Sequence, residues 1–383
     1  MKRQKEQAPE SAIEFCRLCR EGRLFEAEAW LKAGKPSQHD HKNVRCTPLG
    51  IAIDCNFHSL VEVLLRNGFK PEPRHLWMAV RRGRIGIVEL LAQGGADLQW
   101  LNFAQVVSWP NPDLLRLLIR NGADTQTGYP IAEVLKRAPR AFLGIYRDSV
   151  DQYPHWRFQA NMALRHFCRE GSMRGVCLLL WLNADPRAKV PEKADEEEDF
   201  WESALCHACI NGHVEVVKKI GPTKEKDDLD ALLRLAASGQ NVQLVEYLVR
   251  LGADPNSVPK NGETALRSAL WAIEWRLDFD RYEPHHYGAQ TALLVLKSLI
   301  ALGARLNSVN ADELGFLRRC LLKLDWVDSY DLIKFLYQHK FASETAFVGL
   351  LKSPKLRNHL EKRLQALSRM FPALKRWADR TRA

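Results

Sequence analysis

The sequence has no apolar run long enough to cross a bilayer. Its most apolar stretch, residues 175–182, has eight residues, whereas a membrane-spanning helix needs about 20. The first residues, MKRQKEQAPESAIEF, are charged and lack the apolar core of a signal peptide. We therefore expect no transmembrane segment and no secretion signal, and we predict a cytoplasmic location.

Motifs that bind nucleotides or activate a nucleophile are also missing. The chain has no G-x-x-x-x-G-K-[ST] loop, no G-x-G-x-x-G after a strand, no H-E-x-x-H and no G-x-S-x-G. Alternating polar and apolar residues, which predict half-buried strands, are almost absent. An enzyme is therefore not expected, and neither is a cofactor, a bound metal or a small-molecule substrate.

What is present is a large apolar fraction and an excess of basic charge. Hydrophobic residues make up 46% of the 383 residues, which is enough for a sizeable core. The nine cysteines are odd in number and scattered, a pattern typical of reduced thiols in the cytosol. The formal net charge of +10 favours acidic partners, either an acidic protein surface or nucleic acid.

One short phrase recurs along the chain. Its copies include RNGFK (66–70), GGAD (94–97), RNGAD (120–124), LGADPNSV (251–258) and LGARLNSV (302–309). Each copy follows an apolar stretch, and several of these stretches follow a shorter segment that ends in Gly, such as CINGH or AASGQ. The repeating unit is therefore predicted to be two helices joined by Gly turns, since Gly adopts the left-handed conformation that commonly ends a helix.

This unit resembles the ankyrin repeat. The opening pattern of that family, T-P-L-H-x-A, is matched by CTPLGIAI (46–53) and GETALRSA (262–269), its second helix by NGHVEVVKKI (211–220) and its turn by GADPN (252–256). The resemblance covers roughly residues 12–341 and implies an all-α solenoid of about eight to nine helix-turn-helix units. It also implies a protein–protein interaction scaffold that presents its first helices and loops on a concave face.

The spacing of Cys206, Cys209 and His213 could suggest a zinc site. Aligned on the Gly turns, however, these residues fall on fixed repeat positions, and Cys16 and Cys19 occupy the same two positions in an earlier unit. A small residue is needed there because neighbouring repeats stack closely, and Cys packs like a small hydrophobe. Structural zinc also needs four converging ligands. The spacing is therefore attributed to the repeat, and no metal is expected.

The repeat boundaries divide the chain into five regions. We predict a disordered lead (1–10), N-terminal repeats (11–189) with a degenerate helical segment (129–158), an acidic loop (190–202), C-terminal repeats (203–342) with an insertion (275–288), and a basic helical cap (343–383). Within 129–158 we expect one helix that is broken before Pro139. The insertion is interpreted as a partner-contacting or passive loop, because its acids and histidines follow no metal-ligand spacing.

Candidate partner-binding residues lie on the first helices. Arginines recur near the Gly turns and could form a positive stripe for carboxylates or phosphates, although Asp54, Ile210 and Ser238 interrupt it. Exposed tryptophans would add binding hot spots. Most of the eleven tryptophans are nevertheless expected to pack between repeats, Trp30 and Trp181 in particular, while Trp109, Trp156, Trp201 and Trp275 lie near loops. The predicted set is Arg17, Arg20, Trp77, Arg81, Arg82, Arg165, Arg169 and Trp271.

The basic tail supports an alternative function. Between residues 352 and 383 there are ten Lys or Arg residues and two acidic residues. Such a tail could bind phosphates, which would make the protein nucleic-acid-associated or a subunit of a nucleoprotein complex. It could instead bind an acidic protein or an anionic membrane surface. It could also be a solvated cap. The tail residues assigned to this role are Lys355, Lys362, Arg363, Arg369, Lys375 and Arg376.

Overall fold

The computed structural model describes most of the predicted repeat region. The described residues are 10–35, 37, 46–101, 106, 111–191, 202–279, 287–305, 311–324 and 326–339. They form two compact units. Unit 1 contains the described residues up to Ala163 together with 181–184, and unit 2 contains 164–180 and the described residues from Asp185 onward.

Unit 1 is built from pairs of short helices. They are α1 (Glu10–Glu21), α2 (Leu24–Lys32), α3 (Pro48–Cys55), α4 (His58–Arg66), α5 (Pro73–Arg81), α6 (Ile85–Gln93), α7 (Pro112–Arg120), α8 (Pro130–Arg137), α9 (Pro139–Ser149) and the start of α10 (His155–Arg169). First helices pack on first helices, α1 on α3 and α3 on α5, and the second helices α2, α4 and α6 pack in the same order. This alignment is the stacking that a helical repeat requires.

Unit 2 continues the same plan with longer helices toward its end. It contains the end of α10, most of α11 (Met173–Trp181), α12 (Ala204–Ile210), α13 (Val214–Ile220), α14 (Leu229–Ser238), α15 (Val242–Arg250), α16 (Ala265–Phe279), α17 (Tyr287–Ala301), α18 (Ala311–Lys323) and α19 (Trp326–Gln338). The first helices α12, α14, α16 and α18 pack in series, as do the second helices α15, α17 and α19. The predicted all-α class is confirmed, and among the described residues the strands are limited to Lys189–Val190 and Glu202–Ser203, which pair antiparallel.

Local sequence explains where these helices begin and what they bury. The Thr47 hydroxyl accepts a hydrogen bond from Gly50 N and caps α3, and Asp228 and Asn241 cap α14 and α15 in the same way. In α4, Leu60, Val61 and Leu64 recur at helical spacing and are buried. Burial of such stripes between neighbouring pairs supplies the main stabilisation, because helices this short are marginal in isolation.

The degenerate segment 129–158 is a helix pair, and not a single helix. The predicted break before Pro139 is present, but a second helix, α9, starts at that proline and buries Phe142, Ile145 and Tyr146. The start of α8 lacks a side-chain cap of its own. Gln159 of α10 replaces it: its Oε1 accepts from the backbone N–H groups of Ile131 (2.7 Å) and Ala132 (3.2 Å).

The insertion 275–288 lengthens two helices at its edges. Helix α16 continues to Phe279, and α17 starts at Tyr287. Residues 280–286 lie outside the described residues, as do the lead up to residue 9, residues 192–201 of the acidic segment and the whole of 343–383.

One predicted Gly turn has a different physical cause. Gly239 has a φ of −72°, and the left-handed residue at this turn is Gln240, with a φ of 59°. A Cβ on Gly239 would lie 2.1 Å from the backbone oxygen of Ile210. Glycine is therefore needed at this position because α14 ends directly against the end of α12.

We predict that Gly239→Ala destabilises the protein by about 2 kcal/mol or more, because a backbone carbonyl cannot move aside as a flexible side chain can. The measurement is the free energy of unfolding in urea. Gly144→Ala in α9 is the matched control: its Cβ would meet only Arg116 Nη2 at 4.0 Å, so removing a mid-helix glycine there should stabilise by about 0.5–1 kcal/mol. Equal effects of the two substitutions would contradict the close approach of α12 and α14.

A buried histidine links the second and third helix pairs of unit 1. The His75 Nδ1 accepts the backbone N–H of Glu72 (3.1 Å), so the neutral ring carries its proton on Nε2 and donates to the Thr47 hydroxyl (3.1 Å). Burial, and secondarily the nearby Arg74 charge, lower the pKa of His75 from 6.5 to about 4. The folded chain therefore holds a neutral imidazole.

This histidine should make the stability depend on pH. Between pH 6.5 and about 4 the unfolded chain binds a proton at His75 that the folded chain does not bind, so its contribution is complete above pH 6.5 and is lost as the pH falls. The total loss is about 3 kcal/mol. We predict that His75→Gln, which keeps one acceptor and one donor, flattens the pH dependence of the unfolding free energy over this range. Parallel curves for the two proteins would show that His75 does not titrate as described.

Candidate partner-binding surface

Seven first helices carry, at an equivalent repeat position, a buried residue that is followed by one reaching solvent. The buried positions are all at most 1% exposed, and they are Cys19, Ile53, Val80, Cys168, Cys209, Ala237 and Leu270. Stacking of neighbouring first helices leaves room there for only small or apolar side chains. Burial raises the pKa of Cys19 and Cys168 to about 12 and raises that of Cys209 further, so these thiols are not poised as thiolates.

The cysteine–histidine pattern in α12 is explained by the same stacking. Cys209 is fully buried in the core, and the Ser203 hydroxyl contacts the Cys206 thiol (3.2 Å). The His213 Nε2 makes a hydrogen bond to the Arg169 carbonyl (2.8 Å) and its ring lies over Gly171. Within the described part of the chain, no group of three or more His, Cys, Asp or Glu side chains is arranged to hold a metal ion.

The next position along each first helix forms what we call the solvent-facing row. In unit 1 it contains Arg20, Asp54 and Arg81, and in unit 2 it contains Arg169, Ile210, Ser238 and Trp271. None of these side chains is buried, although each directly follows a buried one. Basic, acidic, polar, aliphatic and aromatic residues all occur in the row, so stacking does not dictate the residue type there.

The predicted arginine stripe is largely paired with carboxylates. Arg17 lies 2.7 Å from Glu14, and Arg82 lies 2.7 Å from Asp54. Arg169 lies 3.4 Å from its neighbour Glu170. Arg20 and Arg81 are exposed at their predicted positions. The positive potential of the predicted arginine stripe is therefore weaker than the count of arginines indicates.

The assignment of Arg165 to the partner surface is corrected. Its side chain is 5% exposed, and Nη1 donates to the Val190 carbonyl at 2.8 Å. This bond fixes the strand Lys189–Val190 against α10, within unit 2. A guanidinium that is buried and hydrogen-bonded in this way is not available to a partner.

The tryptophans differ in exposure, and Trp181 contradicts its prediction. Trp156 is fully buried, and its Nε1–H donates to the Thr125 hydroxyl (3.1 Å), so it belongs to the core of unit 1. Trp77 is partly buried. Trp181, expected to pack between repeats, is 55% exposed, with Arg147 over its ring. Trp109 and Trp201 lie outside the described residues, as do the six tail residues predicted to bind phosphate.

Trp271 is part of a larger exposed surface that the sequence analysis did not assemble. It is 51% exposed and stacks on Trp275, which is 46% exposed, with 6.4 Å between ring centroids and an interplanar angle of 22°. Arg267 precedes this pair on the same face, at i, i+4 and i+8 spacing. That spacing was visible in the sequence, but the proximity of Arg319 and Lys323 on α18 was not, because it depends on stacking across an insertion.

Comparison with known proteins identifies the repeat. Residues 233–275 match the family model described as ankyrin repeats (many copies). Among solved structures, the ankyrin repeat domain of Bcl-3 is 17% identical, covering 69% of this chain and 95% of that chain at a TM-score of 0.32. The human ASB11 ankyrin repeat domain is 19% identical, covering 76% and 98% at a TM-score of 0.23. No curated protein matches the chain.

The paired helices and the segment match define a helical repeat protein. The predicted resemblance to the ankyrin repeat family, and with it the ankyrin-repeat fold class, is confirmed. Proteins of this kind are generally protein–protein interaction modules. Among the described residues, no helix is both long and apolar enough to cross a membrane.

The different roles of the arginines can be tested by stability measurements. We predict that Arg165→Met, which keeps an apolar stem but removes the donor to Val190, lowers the free energy of unfolding by about 1–3 kcal/mol. Arg20→Met, in the solvent-facing row, should change it by less than about 0.5 kcal/mol. Both are measured by denaturant unfolding. If both substitutions change the free energy of unfolding by the same small amount, Arg165 belongs to the partner surface after all.

Proposed function

We propose that the protein is a non-catalytic protein–protein interaction scaffold that presents the solvent-facing row of its first helices to a partner with an acidic surface. The observation that carries this proposal is the row itself. In α1, α3, α5, α10, α12, α14 and α16, a buried, structurally constrained residue is followed by a solvent-accessible one of unconstrained chemistry. Residues in such a row can change without altering the helix stack. Specific recognition of one partner needs positions of this kind, whose residue type is not fixed by folding.

Rigid presentation supports the same conclusion. In unit 2, α14 and α16 each pack against a first helix on both sides, and their side chains therefore start from fixed positions. Little ordering entropy is then lost on binding, which favours affinity. The Trp271–Trp275 pair supplies the aromatic side chains that dominate binding energy at many interfaces.

A cytoplasmic location is part of the proposal. All nine cysteines are free, and the pKa values of the most buried ones are raised by desolvation. Reduced, buried thiols are typical of proteins kept in a reducing compartment. The basic charge of the chain favours an acidic partner by steering its approach.

Site-specific photocrosslinking tests this function. A photoreactive amino acid is placed in the full chain at Ser238, in the solvent-facing row, or at Gln243, an exposed position on the second helix of the same repeat. Both proteins are irradiated in a nuclease-treated lysate of the cells that produce them. We expect a protein adduct from Ser238 that is absent from Gln243.

Two results would overturn the proposal. Equal adducts from both positions would mean that the row is not a selective surface. Adducts from Ser238 that contain nucleic acid in an untreated lysate, and that disappear with nuclease, would favour the alternative function, in which the chain binds phosphates. Strong weakening of capture by salt would point the same way.

A further inference from the structure

The exposed tryptophan pair on α16 lies beside a group of cations. Glu274, which lies between Trp271 and Trp275 in the sequence, pairs with Arg319 (2.7 Å) and Lys323 (3.5 Å) of α18. These contacts place two cations of α18 next to the part of α16 that carries both tryptophans. All of these residues belong to unit 2.

A row of basic residues crosses the first helices beside the aromatic pair. The Arg267 and Arg319 guanidinium groups lie over the same Phe316 ring, at 5.7 and 4.2 Å from its centroid. Arg234 occupies in α14 the repeat position that Arg267 occupies in α16, and α14 packs on α16. The row therefore runs across three successive first helices.

The described charges on this surface leave a positive excess. Glu274 is only 18% exposed and is matched by two cations at once, Arg319 and Lys323. Arg267 adds a further positive charge. Beside it, two indole rings expose about half of their area to water. An apolar surface of this kind, bordered by charge, commonly marks an interaction site.

We propose that this surface binds an acidic amphipathic segment of a partner protein. Its apolar side chains cover Trp271 and Trp275, and its carboxylates face Arg267, Arg319 and Lys323. The inference rests on the proposed scaffold function and specifies the partner chemistry at one place. Charge complementarity between the cations and the carboxylates of the segment favours an acidic partner. Arg267, Trp271 and Trp275 recur at i, i+4 and i+8 along one face of α16, which is a spacing that suits contact with a helical segment.

A single-stranded nucleic acid fits this surface less well. Its bases would need free aromatic faces on which to stack, and here the two rings already stack on each other at 6.4 Å. A peptide instead needs only the exposed ring edges and faces as apolar contact area.

Selection from a random peptide library tests the inference. Phage-displayed peptides are selected on the immobilised full chain, and the dissociation constants of synthetic copies are measured by fluorescence anisotropy. We expect enriched peptides to combine Asp or Glu with large apolar residues. The double variant Trp271→Ala/Trp275→Ala should weaken their binding roughly tenfold or more. Arg319→Gln, which leaves the rings intact, should weaken it about threefold to tenfold.

Trp181 and Arg147 provide the matched control. They form a second exposed tryptophan with an arginine over its ring, at 5.8 Å, in unit 1. Trp181→Ala and Arg147→Gln should leave peptide binding unchanged. Circular dichroism and thermal melting of every variant check that the half-exposed rings can be removed without unfolding the chain.

Several outcomes would overturn the inference. One is that the enriched peptides bind the double variant with an unchanged dissociation constant. Two others are that the selected peptides are rich in Lys and Arg, or that no peptide is enriched. The last is that single-stranded RNA displaces the peptides at equal concentration. The scaffold function has a separate readout. The Ser238 protein adduct can form in the double variant while the selected peptides show none of the expected loss of binding. In that case the scaffold function stands, and the partner chemistry proposed for this surface is wrong.

Discussion

The close approach of successive first helices is the constraint on which the rest of the structure depends. At one repeat position of seven first helices the neighbouring helix leaves room for a Cys, Ala, Val, Ile or Leu side chain, and at Gly239 it leaves room for none. Close packing makes such contacts sensitive to single atoms. The helices are short and need this contact, because their own hydrogen bonds do not stabilise them in isolation.

Because of the same constraint, a residue that stabilises the stack is followed directly by a residue that is available for recognition. Cys209 and Leu270 are fixed by the stack, whereas the following Ile210 and Trp271 face solvent and are free to differ. Buried polar groups follow a complementary rule. His75, Gln159 and Arg165 are buried because each satisfies backbone or hydroxyl groups of an adjacent repeat. A long polar side chain on a first helix therefore has two possible roles, and only its depth in the stack distinguishes them.

This explains what the sequence could and could not predict. The repeat unit and the cause of the Cys206–Cys209 spacing followed from local pattern, because Gly turns and small buried residues recur at fixed positions. Arg165 was misjudged, because its burial depends on a partner 25 positions away, the Val190 carbonyl. The α16–α18 surface was missed for a related reason: the two helices are separated by an insertion that obscures the repeat period.

The exposed tryptophans show how the scaffold could acquire a specific partner without a change of fold. At the position of Trp271 other repeats carry Ser238 or Ile210, so the aromatic side chain is not required for stacking. Half of its surface remains in water, which costs stability relative to a polar residue and is offset only partly by its contact with Trp275. Two such residues on one face, next to cations that already neutralise Glu274, are better explained by binding than by folding. Because the cations are held by that carboxylate and by Phe316, they are pre-organised, and an incoming acidic segment would lose little free energy in ordering them.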